Sequence, residues 1–174
     1  MRHHRILGAV GTLVLWAAGC AVPAPTRNEE LLRVERQLDE LYQPLLALVR
    51  ESHASVQDFM KTQLGRDWIF PLEKDEEVKL WLEKAEGDLM PRNERMVALI
   101  RAKRDLVDGP DLPPSWKALL EHQDGWRALH EKWKRDHLPY SWHSPTAFPK
   151  RLEAELEAAI ETLGKRRTGL KTSS

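Results

Sequence analysis

Three histidines share one helical face with two tryptophans, and no other segment gathers as many side chains capable of chemistry. From Trp116 to about His137, the residues His122, His130 and His137 fall on the same apolar face as Leu119, Trp126, Leu129 and Trp133. At helical rise the histidines stand about 12 and 10 Å apart, whereas two ligands of one metal need a spacing of three or four residues. A metal site would have to recruit His53 or His143 from elsewhere, with a carboxylate such as Glu94 or Glu121. The spacing therefore predicts histidines packed and hydrogen-bonded at a helix interface, with no metal and no cofactor. His130 and Glu131 begin like a zincin motif, but position 134 is Lys134.

Tryptophan faces bind cations, sugars and apolar groups. Of the seven Trp, six follow position 20. Trp81, Trp126 and Trp133 sit on helical stripes and are expected in the core. Trp142, with Tyr140, His143 and Phe148, falls in a proline-containing loop; it is the candidate exposed cluster, with loop anchoring as the simpler role. Carboxylates are dispersed as solvated helix faces, and Glu131 with Arg135 is the one clean i, i+4 pair among those weighed. Nucleophile elbow, phosphate loop, paired-Cys metal site and redox motif are all missing, so the chain is not expected to be an enzyme.

The elements that must position these groups are helical throughout. Leu31, Val34, Leu38, Leu41, Leu45 and Leu48 recur at spacings of three and four, and the stripe continues through Val56 and Phe59 or Met60 to Leu64, where Gly65 closes it. Pro44 predicts a kink rather than a break. A loop around Trp68, Ile69, Phe70 and Pro71 has enough apolar character to fold back. Asp75, Glu76 and Glu77 favour a helix start, and Val78, Trp81, Leu82, Ala85 and Leu89 form its stripe. Pro91 opens or kinks a helix carrying Met96, Leu99, Ile100 and Leu106. Ser115 is the expected N-cap of the Trp116 helix. Pro149 opens a last helix with Leu152, Leu156, Ala159, Ile160 and Leu163, ended by Gly164. No segment alternates with period two. The expectation is an all-α bundle of four or five helices over residues 29–164, kinked at prolines, with a basic flexible tail at 165–174.

At 174 residues the chain has room for one core, and 27 basic residues against 27 acidic give no electrostatic footprint for nucleic acid. The N-terminus has its own logic. Arg2 and Arg5 precede a 14-residue apolar run, Ile6 to Gly19, shorter than the roughly 20 residues a spanning helix needs. Ala17, Ala18, Gly19 and Cys20 follow in order. This junction resembles the lipobox of bacterial lipoproteins at Ala18, Gly19 and Cys20, and departs from it at Ala17, where the family usually has Leu. The resemblance implies diacylglyceryl attachment to Cys20, cleavage before it and acylation of the new amine. Residues 1–19 are then a signal peptide, and 20–28 a lipidated cysteine and proline-containing tether. Cys20 is the single cysteine of the chain, so it forms no internal disulfide. The alternatives are an uncleaved anchor or ordinary secretory cleavage after Ala21 or Ala24. Cleavage before Cys20 removes Arg2 and Arg5 and leaves 25 basic against 27 acidic residues. Ala21 stands where an aspartate would signal inner-membrane retention, so the resemblance places the protein in the cell envelope, on the outer membrane of a two-membrane host.

A second set of residues, Leu41, Tyr42, Pro44 and Leu45, then Met90, Pro91, Asn93, Met96, Leu99 and Ile100, then His122, Trp133, Phe148 and Pro149, resembles a widespread family of uncharacterised helical proteins. It implies a fold and no activity. Asn93 and His122 are the polar candidates within it, since each could point into the bundle, where the simplest partner is a helix-to-helix hydrogen bond. The expected function is a lipid-anchored envelope module that binds an unidentified protein partner or serves as a structural accessory. Its alternative is a bundle binding a small ligand or metal through His and Trp. The second requires a pocket between helices lined by His122, Trp126 and their neighbours. Asn93, His122, Trp126, His130 and Trp142 are the candidate contacts, with the 140–148 loop at the mouth.

Overall fold

The computed structural model describes residues 24–136 and 144–172, all helix, turn and coil with no strand among them. Cys20, His137, Tyr140, Trp142 and His143 lie outside the described residues. Four helical rods carry the fold, as the spacing predicts.

The first rod, α1, runs over residues 27–64. Thr26 caps it: its hydroxyl accepts from Glu29 N, and the Glu29 carboxylate accepts from Thr26 N at 2.6 Å. This reciprocal box satisfies two end donors at once and starts the helix at Arg27, inside the stretch expected as tether. Pro44 does not break the rod. The turn before it widens to π geometry over Leu38–Tyr42, and Gln43 N donates to Leu38 O, five residues back. The same device recurs in α2, residues 75–102, where Ala85–Leu89 is the wide turn, Met90 N donates to Ala85 O, and Pro91 follows. In both rods the residue just before the proline makes the wide bond. The missing proline N–H thus falls where the ladder is already changing register. Gly65, at φ 64°, ends α1 in the left-handed conformation that glycine adopts without a Cβ penalty.

The third rod, α3, spans Pro114–Asp136 and the fourth, α4, Leu152–Thr172. Two sequence expectations change here. Ser115 is not the N-cap of α3, because the helix begins at Pro114 and both Trp116 N and Lys117 N donate to Pro113 O. The buried Ser115 hydroxyl instead donates to Glu155 of α4. Nor does Gly164 end α4, and 165–172 is helix rather than flexible tail. The extension lies antiparallel against the start of α1: Arg27 Nε donates to Leu170 O at 2.7 Å, Arg166 pairs with Glu30, and Lys171 pairs with Glu35 at 2.7 Å. Leu170 also packs on the core, so tertiary contact offsets the roughly 1 kcal/mol that a glycine costs inside a helix.

Two apolar clusters hold the rods together. The larger joins Val34, Leu38, Leu41, Leu45 and Val49 of α1 to Met96 and Ile100 of α2, Trp116 and Leu119 of α3, and Leu152 and Leu156 of α4. Fully burying each such aliphatic side chain contributes about 1.5–3 kcal/mol. The smaller gathers Phe59, Trp81, Ala85, Leu89, Met90 and Trp126 at the other end. Trp81 and Trp126 are core, as expected, while Trp133 is only half-buried. Phe70 folds back edge-on to Trp81 at 5.3 Å. No described helix is long and apolar enough to cross a membrane.

Candidate functional site

Where the smaller cluster meets Phe148, the helices stand apart and enclose a cavity of about 530 Å³. Each rod except α4 supplies wall. The second half of α1 contributes Ser52, His53, Val56, Gln57 and Met60; α2 contributes Trp81, Leu89 and Asn93; α3 contributes His122 and Trp126. Ser144, Phe148 and Lys150 close it from the segment before α4, and Phe70 from the loop before α2. The volume lies in the range of small-molecule pockets, and the lining has the usual makeup of one: apolar and aromatic walls with a few polar groups.

The walls are aromatic. Trp81 and Trp126 lie with ring planes within 7° and centroids 6.2 Å apart. Phe148 stands edge-on to both His53 and His122, with centroids 5.5 Å from each. Gly125 allows the segment before α4 to come this close, since a Cβ there would meet Pro145 Cγ at 3.1 Å.

Two polar groups sit deep. His122 is buried, and its Nδ1 lies 2.6 Å from Thr146 O. A carbonyl only accepts, so Nδ1 carries the proton and donates. Burial pushes the His122 pKa below the ordinary imidazole value, against the opposing effect of the Thr146 bond. The ring is therefore neutral at pH 7 and Nε2 presents a lone pair. Asn93 is 2% exposed, lines the cavity, and makes no hydrogen bond to any described residue. Among the described residues the expected helix-to-helix hydrogen bond is formed by neither side chain: His122 bonds a loop carbonyl, and the Asn93 Oδ1 has no partner.

At the upper wall His53 Nδ1 lies 2.7 Å from Glu153 Oε2, and Arg50 holds the same carboxylate at 3.1 Å. The His53 bond first and Arg50 second hold the Glu153 carboxyl below its usual range. Lys150 is exposed and makes no ion pair with a described residue. Ser52 and Ser144 also line the cavity, yet among the described residues neither hydroxyl bonds a histidine ring. Ser144 Oγ faces the His122 backbone carbonyl at 3.4 Å.

Of the candidate contacts, Asn93, His122 and Trp126 line this one cavity. His130 belongs elsewhere. It is 3% exposed, and its Nε2 lies 2.7 Å from Glu86 Oε1 of α2, a carboxylate that Lys134 also holds at 2.6 Å. Lys134 foremost, with His130, keeps the Glu86 carboxyl below its usual range. Glu131 and Arg135 do not pair; Arg135 turns to Asp136 at 3.0 Å. Trp142 lies outside the described residues. Gln57 and Lys150 carry no local signal in the spacing. Among the described residues no three His, Cys, Asp or Glu side chains gather around a point where one ion could sit. No protein-family model, curated protein or solved structure matches the chain.

Proposed function

We propose that this protein is a lipid-anchored binding protein of the cell envelope that takes a small amphiphilic molecule into the cavity between α1, α2 and α3. The observation that carries the reading is Asn93: an amide 2% exposed, on the wall of a cavity of about 530 Å³, with no hydrogen bond to a described residue. Leaving such a group unpaired costs about 1–3 kcal/mol, and a ligand that bonds it recovers that cost. The large exposed apolar side chains give less support to a protein-docking face. Leu32 sits near the start of α1, whereas Trp68 and Phe70 follow its far end, about 50 Å away at helical rise. The anchor is the acylated Cys20 that the lipobox resemblance implies.

Two experiments test the two halves. The naphthalene dye 1-anilinonaphthalene-8-sulfonate should bind the folded chain at one saturable site, and Val56→Trp, which projects a bulky ring into the cavity, should abolish that binding while leaving the helical circular dichroism signal unchanged. Binding that is non-saturable, or indifferent to Val56→Trp, counts against the cavity. Cys20→Ser should release the protein from membranes or leave its precursor uncleaved; unchanged processing and membrane retention would remove the lipid anchor from the reading.

A further inference from the structure

The polar groups of the cavity are not equivalent, and their difference defines the ligand. At depth, His122 offers Nε2 as an acceptor, because the Thr146 carbonyl fixes the ring proton on Nδ1. Beside it on the lining, the Asn93 Oδ1 is buried with no hydrogen-bond partner among the described residues. A carboxylate placed against His122 Nε2 would face a lone pair with no proton between them. A hydroxyl, amide or ring N–H is satisfied there. The walls between floor and mouth are Trp81, Trp126, Leu89 and Phe148, which exclude water from an apolar body. At the mouth the charge has one sign. Among the described lining residues Lys150 is the one Lys or Arg, none is a carboxylate, and Lys150 has no acidic partner among the described residues. His53, which also lines the cavity, is already matched by Glu153, which Arg50 also holds.

We infer, resting on the cavity-binding reading above, that the ligand is a bipolar amphiphilic acid, with an O–H or N–H donor at the buried end, a planar or apolar body, and a negative charge at the end that meets Lys150. The donor is selected because rejecting it strands two buried polar groups, whereas the charge adds attraction in a partly solvated place and counts for less.

Four probes separate these features: indole-3-acetate (ring N–H and carboxylate), 1-methylindole-3-acetate (no donor), indole-3-ethanol (no charge) and tryptamine (cation). Each is titrated calorimetrically against the full chain in phosphatidylcholine nanodiscs, with the Val56→Trp chain as the blank for lipid partitioning. Indole-3-acetate should bind tightest. N-methylation should weaken binding at least about tenfold, the range set by leaving buried polar groups unpaired. Indole-3-ethanol should lose about threefold to tenfold, and tryptamine should bind weakest. Asn93→Leu should reduce the preference for N–H over N-methyl, and Lys150→Gln the preference for carboxylate over alcohol, each leaving the other preference in place. Equal binding of the methylated probe, or tryptamine binding as tightly as indole-3-acetate, overturns the ligand class while leaving the cavity as a binding site. If no probe, nor the naphthalene dye, binds above the Val56→Trp blank, the cavity-binding reading falls and this inference falls with it.

Discussion

Replacing Asn93 by Leu asks whether a polar side chain in the interior serves the fold or the site, because the two roles give stability changes of opposite sign. In the native protein the amide is 2% exposed and makes no hydrogen bond to a described residue. Removing a buried, poorly paired amide relieves about 1–3 kcal/mol of desolvation cost. Leu shares the branched shape of Asn but is larger, and the adjoining cavity takes up the extra volume; its methyls gain part of the 1.5–3 kcal/mol that a fully buried Leu contributes, roughly half where one side faces the cavity. The rotamer freedom that an ordered Leu loses offsets part of the gain. The expected outcome is a stabilisation of about 1–2 kcal/mol, or about 3–6 °C in Tm for a domain of this size. Urea denaturation followed at 222 nm measures it, and titration with indole-3-acetate on the same sample should show at least tenfold weaker binding. A loss of about 1 kcal/mol or more, with binding intact, would refute the argument and make Asn93 a packing residue.

Three further expectations follow from the same geometry. Because burial lowers the His122 pKa, the unfolded chain takes up a proton near the ordinary value of 6.5 that the folded chain refuses; His122 therefore contributes stability in full above that pH and loses it on acidification. Denaturation midpoints should fall between pH 7 and 5, and less steeply in His122→Leu; the carboxylates act lower, with Glu40, held at about 2 by Arg36 and Lys103, losing its contribution only as pH falls from about 4.5 toward 2. Truncation after Gly164 removes Leu170 and the contacts of Arg166 and Lys171 with α1, so it should cost about 1–3 kcal/mol and reduce helical ellipticity, whereas a tail without structure would cost nothing. Gly125→Leu should drive Pro145 away from α3 and weaken probe binding with helicity preserved; unchanged binding would show that the segment before α4 does not shape the cavity.

Most of the fold was legible because apolar period and helix punctuation are local. Val34, Leu38, Leu41 and Leu45 read as one stripe and are buried as one. Pro44 and Pro91 read as kinks, and each follows a wide turn. The cavity was legible in part, since Asn93, His122 and Trp126 stand on separate stripes yet on faces that must turn inward. His53 was weighed only as a metal ligand; its engagement with Glu153, a hundred residues on, leaves no trace in spacing.

Two glycines mark the boundary between what the chain decides alone and what tertiary contact decides. Gly65 ends α1, and the sequence suffices to say so: the apolar stripe stops at Leu64, and the chain turns at φ 64°, where other residues are strained. Gly164 looks the same in sequence and ends nothing, because α1 lies alongside and bonds the next turns through Arg27, Glu30 and Glu35. Likewise, Ser115 reads as a cap until Glu155 is beside it, and His122 and His130 read as one site until α2 presents a cavity wall to one and Glu86 to the other. The sequence determined helices, faces and kinks, which depend on neighbours within a turn or two. Only the tertiary structure decided which polar groups found partners and which were left facing a cavity, because those partners come from rods far apart in the chain.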